Sequence, residues 1–289
     1  MSERKEEAYA ERFDRVFGYI DEHLSEEMSV ERLSQVAYFS KYHFHRQFAL
    51  YAGINVARYI QLMRLKRASH RLVFDESARI IDIALESGFE NPESFSRAFK
   101  NSFGQTPSQF RKQPAWQPWS ERFRLPPRMR RQDMPVKIVH FPETIIALLE
   151  HRGAPERVND TAKRFIEWRK ASGLSPVETS DTFGLAYDDP ATTEPEHFRF
   201  DLCGSVTETV PANPQGVQTG TIPAGRCAVI RHEGSHDRLG EKAYYLYREW
   251  LPASGEELRD FPLFFHYRNL ITDTPEHELI TDVYLPLKG

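Results

Sequence analysis

Slid along itself by 51 residues, the N-terminal half of the sequence falls back onto itself. Val30 lands on Ile81, Glu31 on Asp82, Tyr38 on Phe89, Ser40 on Asn91, Phe44 on Phe95, Arg46 on Arg97, Phe48 on Phe99, Gly53 on Gly104 and Tyr59 on Phe110. On this reading no gap is needed over 30 residues. A repeat of this kind constrains the fold more than any composition does, because one supersecondary unit has to be built twice.

Each unit reads as helix, tight turn, helix. Ser29 caps a short helix from Val30 to Ala37, Tyr38-Phe39 make the turn, and Ser40 caps the next helix. In that second helix Phe44, Phe48 and Tyr51 share an apolar face by their spacing of four and three. Tyr42, His45, Arg46 and Ala49 lie on another face, and apart from Ala49 they are donors or flat rings of the kind that read base edges. The second unit starts its helix with Asn91 as cap and Pro92 at the first position, and its outer face is Glu93, Ser96, Arg97 and Lys100. A single amphipathic helix is usually only a surface helix; two in register are the argument. An opening helix from Glu6 to Leu24 carries a one-sided stripe of Phe13, Val16, Phe17, Ile20 and Leu24. Gly53 and Asn55 end the first unit and start a connecting helix to about Val73, roughly 27 Å long. That is near the length needed to set two recognition helices one DNA turn apart, about 34 Å. Thr106-Pro107 open a last helix through Phe110.

Charge sharpens this reading. The net charge of −4 hides 22 basic and 17 acidic residues over 1–131, against 16 and 25 over 132–289. From Arg32 to Arg131 the balance is 18 basic to 7 acidic. A basic block beside an acidic one fits a nucleic-acid module joined to a module with another job.

Residues 29–112 resemble the DNA-binding domain of the AraC/XylS family of transcription regulators. The motifs that carry the resemblance are Ile81-Asp82-Ile83-Ala84-Leu85-Glu86-Ser87-Gly88-Phe89, Phe95-Ser96-Arg97-Ala98-Phe99-Lys100 and Phe103-Gly104-Gln105-Thr106-Pro107, with Phe110-Arg111. The resemblance implies DNA contacts from Lys41, Tyr42, His45 and Arg46 in the first reader and from Glu93, Ser96, Arg97 and Lys100 in the second. It also implies promoter DNA and RNA polymerase as partners, and activation as the sign of regulation. Tyr42 stands where relatives often have Trp, and His45 where some have Gln, which leaves the preferred bases open.

From Gln113 to Pro135 five prolines, Trp116 and Trp119 mix with Arg122, Arg124, Arg128, Arg130 and Arg131. So many prolines exclude a long helix or central strand. The stretch reads as a linker partly held by its two Trp rings, its arginines either solvated or touching phosphate.

The C-terminal half is doubled too, at an offset of 81. Pro142 falls on Pro223, Ala147 on Ala228, His151 on His232, Gly153 on Gly234, Arg157 on Arg238, Phe183 on Phe264 and Asp201 on Asp282, again without a gap. Each copy reads β-α-β-β: a strand (Ile145 to Glu150; Cys227 to Arg231), a His-x-Gly turn, a helix (Val158 to Ala171; Leu239 to Leu251), then two strands. The expected product is one antiparallel sheet with helices on one face and a pseudo-twofold axis. A cleft along that axis is the default small-molecule site. Tyr187, Phe264, Phe265, Tyr267, Tyr244, Tyr245, Tyr247 and Trp250 gather near it, and of these Tyr187, Tyr247, Phe265 and Tyr267 are the ligand-site candidates.

This half resembles the gyrase-inhibitor-like effector-binding domain, on Tyr187-Asp188-Asp189-Pro190, Phe200-Asp201-Leu202-Cys203 and Thr281-Asp282-Val283-Tyr284-Leu285-Pro286-Leu287. Many such domains carry a Glu two residues before the position of Tyr267, where it can pair with a cationic ligand. Here that position is Phe265, so a preference for cations does not carry over.

Catalytic chemistry finds little support. His151 and His232 both precede a Gly in equivalent turns, which suggests a structural need of the turn. Cys203 and Cys227 sit in apolar strands, and no metal spacing, phosphate loop or nucleophile triad is present. No cofactor or metal is expected, and the chain reads as a non-enzyme. Two cysteines, no apolar leader and no apolar run of about 18 residues point to a cytoplasmic protein. The expected architecture is multidomain. An all-α double helix-turn-helix domain (1–112) and a linker (113–134) precede an α+β domain of two β-α-β-β repeats (135–289). The expected function is a DNA-binding transcription regulator whose second domain senses a small molecule or partner. The alternative makes that domain a small-molecule hydrolase, with Glu150 as a carboxylate candidate, or a stand-alone binding module.

Overall fold

The computed structural model describes residues 3–116 and 134–289, without the side chains of the first ten residues and of Tyr42. The chain divides into two compact units, Met1–Asp133 and Met134–Gly289, and each is described by itself. Trp119 and the arginines from Arg122 to Arg131 lie outside the described residues.

Among the described residues of the first unit there are seven helices: α1 (Glu3–Glu22), α2 (Val30–Val36), α3 (Lys41–Ala52), α4 (Val56–Phe74), α5 (Ile80–Glu86), α6 (Pro92–Phe103) and α7 (Pro107–Lys112). Their starts follow from capping chemistry. Ser29, Ser40, Asn55, Asn91 and Thr106 each accept a hydrogen bond from the amide three residues on. A side-chain oxygen in that position satisfies an otherwise orphaned donor, worth about 1 kcal/mol per cap. Gly53 and Gly104 end α3 and α6 in the left-handed conformation. The apolar stripe of α1, from Phe13 to Ile20, is buried with Leu24 just beyond it, and Phe13 and Phe17 pack on Phe48 of α3. Phe95, Phe99 and Phe110 do the same work around α6. The single core is continued by Trp116, whose ring lies 5.2 Å from Phe110 and stacks near His70 and Phe74.

The repeat carries a one-residue step that the offset of 51 hides. The first helices of the two units correspond at 50: caps Ser29 and Arg79, buried Leu33 and Ile83, C-caps Ala37 and Ser87. Only from Ser40 and Asn91 onward does 51 hold. The turns explain it. Tyr38 (φ 54°) and Gly88 (φ 76°) occupy the same left-handed position, and the amides of Phe39 and Phe89 return to Ser34 and Ala84. Glu90 is the additional residue before the second recognition helix.

The second unit is one eight-stranded antiparallel sheet with two long helices. Its elements are β1 (Lys137–Phe141), β2 (Thr144–Arg152), α8 (Val158–Ser172), β3 (Thr182–Ala186), β4 (Arg199–Ser205), β5 (Gln218–Ile222), β6 (Gly225–Glu233), α9, β7 (Leu263–Tyr267) and β8 (Ile280–Pro286). α9 runs as α-helix over Leu239–Tyr245, π-helix over Leu246–Trp250 and α-helix over Leu251–Ser254. The strand order is β1-β6-β8-β7-β3-β4-β2-β5, with β3 and β7 paired at the pseudo-twofold axis. Each repeat is therefore β-β-α-β-β, one strand longer than expected. The leading strands are exchanged: β1 pairs with β6 of the second repeat, and β5 with β2 of the first. Both are edge strands whose first four residues stay exposed or half-buried, so they carry almost no hydrophobic alternation to read.

α8 buries Phe165 and Trp168 against Ala147, Leu149 and Val217. α9 buries Leu239 and Leu246 against Ala228, Ile230, Leu263 and Val283. On the opposite face Phe141 of edge strand β1 lies 5.0 Å from Phe264 of β7 and 6.1 Å from Phe183 of β3. Those strands are three and four places along the sheet, and adjacent strands are spaced about 4.8 Å apart. The sheet must curl to bring the rings together. Phe264, grouped with the cleft aromatics from sequence, belongs to this opposite face, stacked at 4.9 Å on Tyr284.

Candidate functional site

Two surfaces carry the chemistry. The first is the outer face of α3 and α6. Packing of Phe44 and Phe48 inward leaves Lys41, His45 and Arg46 exposed on α3. Packing of Phe95 and Phe99 leaves Glu93, Arg97 and Lys100 exposed and Ser96 half-buried on α6. Lys41 forms an ion pair with Glu31 of α2 and holds that carboxyl below its ordinary range. Lys41, His45, Arg46 and the cap residue Asn55 line an open concavity. Arg46 and Arg97 have no acidic partner among the described residues. The side chain of Tyr42 lies outside the described residues, although its backbone is in α3.

What fixes the two readers relative to one another is Arg64, in the middle of α4. It donates from Nε to the carbonyl of Leu24 (2.8 Å), from Nη2 to that of Glu26 (2.7 Å), and from Nη1 to that of Gly88 (3.0 Å). The first two acceptors precede α2, and the third lies in the turn of the second helix-turn-helix copy. A Cβ at Gly88 would come within 2.8 Å of the Arg64 guanidinium carbon, so a side chain there would displace the guanidinium from its carbonyls; the left-handed angle favours glycine, although Tyr38 adopts it in the first copy. Arg111 ties α7 to the carbonyls of Leu72 and Ala78 in the same manner. Neither role shows in the sequence, because the acceptors are distant backbone carbonyls.

The second surface is a cavity of about 560 Å³ in the C-terminal unit. Its floor is Ala186, Phe200, Leu263 and Phe265, its walls Val158, Phe198, Ala243 and Tyr247, and its rim Tyr187, Asp188, Asp189, Tyr244 and Arg248. That size and composition suit a drug-sized ligand. Of the four candidates, Tyr187, Tyr247 and Phe265 line it and Tyr267 does not. The duplication explains the difference. Position 267 in the second repeat is position 186 in the first, and there the small Ala186 leaves the cavity open. Tyr267 occupies the equivalent place on the other side of the axis, its ring 5.1 Å from His236 and 6.3 Å from Phe265. Where the first repeat has the small Ala186 beside the cavity, the second has a Tyr ring. Sequence reasoning also missed Phe198, Phe200 and Arg248, which come together only when β4 and α9 are placed.

The rim is held by a polar network. Tyr187 donates its hydroxyl to Asp201 (2.9 Å), and its ring lies between the guanidinium groups of Arg152 (5.8 Å) and Arg199 (5.5 Å). Burial and the neighbouring carboxylate push the Tyr187 phenol well above its ordinary pKa. Asp188 takes Arg199 on both oxygens, at 2.8 and 2.9 Å, which holds its carboxyl below the usual range. Asp189 accepts from the Tyr244 hydroxyl at 2.6 Å.

The paired histidines serve their turns. His151 bonds Thr161 at 2.8 Å and the carbonyls of Gly153 and Ala154, and His232 bonds the carbonyl of Ser235. Cys203 and Cys227 are free and buried, with their thiols pushed up by desolvation. Glu150 is exposed, pairs with Arg152 at 3.2 Å and lies outside the cavity. Among the described residues no group of His, Cys, Asp and Glu could hold a metal ion, and no helix is long and apolar enough to cross a membrane.

Comparison with known proteins gives two matches along the chain. Residues 33–113 match a helix-turn-helix domain profile of AraC type, and residues 134–288 match the GyrI-like small molecule binding domain. The protein named probable transcriptional regulator YgiV of Escherichia coli K12 is 52% identical over 152 residues, which is 53% of this chain and 95% of that protein. The right origin-binding protein of the same strain is 30% identical over 173 residues, 58% of each chain. Among solved structures, EcmrR in its complex with DNA covers 91% of this chain and 100% of that one, at 14% identity and a TM-score of 0.46. The chain belongs to the GyrI-like small-molecule-binding family and carries its family domain behind an AraC-type double helix-turn-helix domain.

Proposed function

We propose that the chain regulates transcription by reading one asymmetric double-stranded site with α3 and α6, and by sensing a small molecule in the C-terminal cavity. The observation that carries the first part is the matched pair of exposed, unneutralised arginines, Arg46 and Arg97, each set on a recognition helix whose opposite face is fully buried. Lys41, Tyr42 and His45 complete the first reader; Glu93, Ser96 and Lys100 complete the second. Because the two outer faces differ, the site has no internal symmetry, and one chain suffices to cover two neighbouring major grooves. RNA polymerase is the protein partner of an activator built this way, and the cytoplasm its place of work.

For the cavity, binding is the reading adopted over turnover. Its carboxylates are engaged, Asp188 by Arg199 and Asp189 by Tyr244, and no Cys or His lines it to act as nucleophile or base. Tyr187, Tyr247 and Phe265 are the proposed ligand contacts; Tyr267 lies outside the cavity lining.

The test is Arg46→Ala on a duplex selected by the full chain. Truncating a side chain that reads a base costs about 1–3 kcal/mol of affinity and relaxes preference at one position. A uniform drop in affinity across all sequences, or an unchanged specificity profile, removes Arg46 as a base reader.

A further inference from the structure

The cavity has a wall that the duplication did not require. α8 ends at Gly173 and α9 at Gly255, both left-handed C-caps, an offset of 82. The helix starts, Val158 and Leu239, and the following strands, Thr182 and Leu263, stand at 81. One residue has entered α9 and one has left the loop after it, so the repeat is not free of gaps. The π-helical turn Leu246–Trp250 is where the helix holds the additional residue, since a π turn carries one residue more than an α turn. This turn presents Tyr247 and Arg248 to the cavity. Their counterparts at 81, Ile166 and Glu167, sit in unbroken α-helix. π turns recur at functional sites for this reason: they re-aim side chains without breaking the helix.

The balance of donors and acceptors then says what is missing. Asp188 has both oxygens on Arg199, and the Oδ1 of Asp189 accepts from Tyr244 and from the amide of Ala191. Arg248 rests its guanidinium 4.4 Å from the centre of the Tyr244 ring and has no carboxylate or carbonyl partner among the described residues. The Tyr247 hydroxyl has no acceptor among them either, and burial raises its pKa, so it stays a donor. Unused donors of Arg248 and Tyr247 therefore line the cavity, with Oδ2 of Asp189 an unbonded acceptor on the rim among the described residues, above a floor of Ala186, Phe200, Leu263 and Phe265 that offers a buried cation no counter-charge. We propose that the cavity takes an apolar aromatic or aliphatic carboxylate, its carbon body on the floor and its carboxylate read by Arg248 with Tyr247. The proposal rests on the reading of the cavity as the ligand site. A planar guanidinium offers the paired donors that suit a carboxylate.

The test titrates the full chain, followed by probe fluorescence, with pyrenebutanoate, pyrenebutanol and pyrenebutylamine, which share one body and differ in head group. The acid is expected to bind about ten-fold tighter than the alcohol, and the amine no better than the alcohol. Arg248→Gln brings the acid to the level of the alcohol while Arg248→Lys keeps part of the preference. Ala186→Phe fills the floor and removes binding of all three; unfolding midpoints confirm that each variant is folded. Equal or tighter binding of the amine, or an acid preference that survives Arg248→Gln, overturns the carboxylate proposal while leaving the cavity as a ligand site. Binding of none of the three, or binding that survives Ala186→Phe, overturns the proposal and the cavity reading together.

Discussion

Arg64 shows how a single side chain can set the geometry of a whole reading head. It counts toward the basic excess of the N-terminal half, yet it is turned inward, half-buried, and commits its guanidinium to three backbone carbonyls, two ahead of the first helix-turn-helix copy and one in the second. Desolvation lowers its pKa, but the guanidinium stays charged at any physiological pH. Arg64→Met keeps the stem and strips the bonds, leaving the part-buried carbonyls of Leu24 and Gly88 without this donor and the exposed carbonyl of Glu26 to water. The expected loss is about 2–3 kcal/mol of stability, read as a lower unfolding midpoint of the N-terminal unit. An unchanged midpoint would mean that water replaces the guanidinium without loss. The exposure of Arg46 and Arg97 was legible in sequence because it follows from the spacing of Phe44, Phe48, Phe95 and Phe99. The role of Arg64 was not, because nothing local distinguishes an arginine that faces solvent from one that bridges the two helix-turn-helix copies.

Elements repeat the lesson with backbone chemistry. Caps at Ser29, Ser40, Asn55, Asn91 and Thr106 were readable one by one, since each is a short polar residue ahead of an apolar period. Register was readable only to within one residue. The additional Glu90 and the π turn in α9 are single-residue steps, and identity matches on either side of them conceal the step. The edge strands β1 and β5 escaped because so few of their side chains reach a core. At this scale the sheet also makes a pH prediction. His232 of β6 and His266 of β7 are buried, and desolvation lowers both pKa values; for His266 the nearby Arg268 adds to the effect. Folding thus holds these imidazoles neutral, while the unfolded chain takes up protons below about pH 6.5. Stability is full above that value and falls as pH drops through it toward the lowered native values. The unfolding midpoint of the C-terminal unit should fall between about pH 7.5 and 5.5, and less steeply in His266→Gln. A midpoint that is flat or rising over that window would contradict the assignment.

The whole molecule joins a basic, all-helical unit to an acidic α+β unit, each made by doubling a smaller motif. The two doublings have opposite outcomes. In the helical unit both copies keep an exposed outer face, and the two faces differ in their residues. In the sheet unit Ala186 lines the described cavity, while Tyr267 stands at the equivalent place in the second copy. The central claim is that one chain places α3 and α6 in successive major grooves of one duplex. Hydroxyl-radical footprinting of the full chain on its selected site, with stoichiometry measured in the same solution, tests it most directly. At one chain per duplex, two protected windows about one helical turn apart on the same face are predicted. A single window, or two windows only when a second chain has bound, would contradict it.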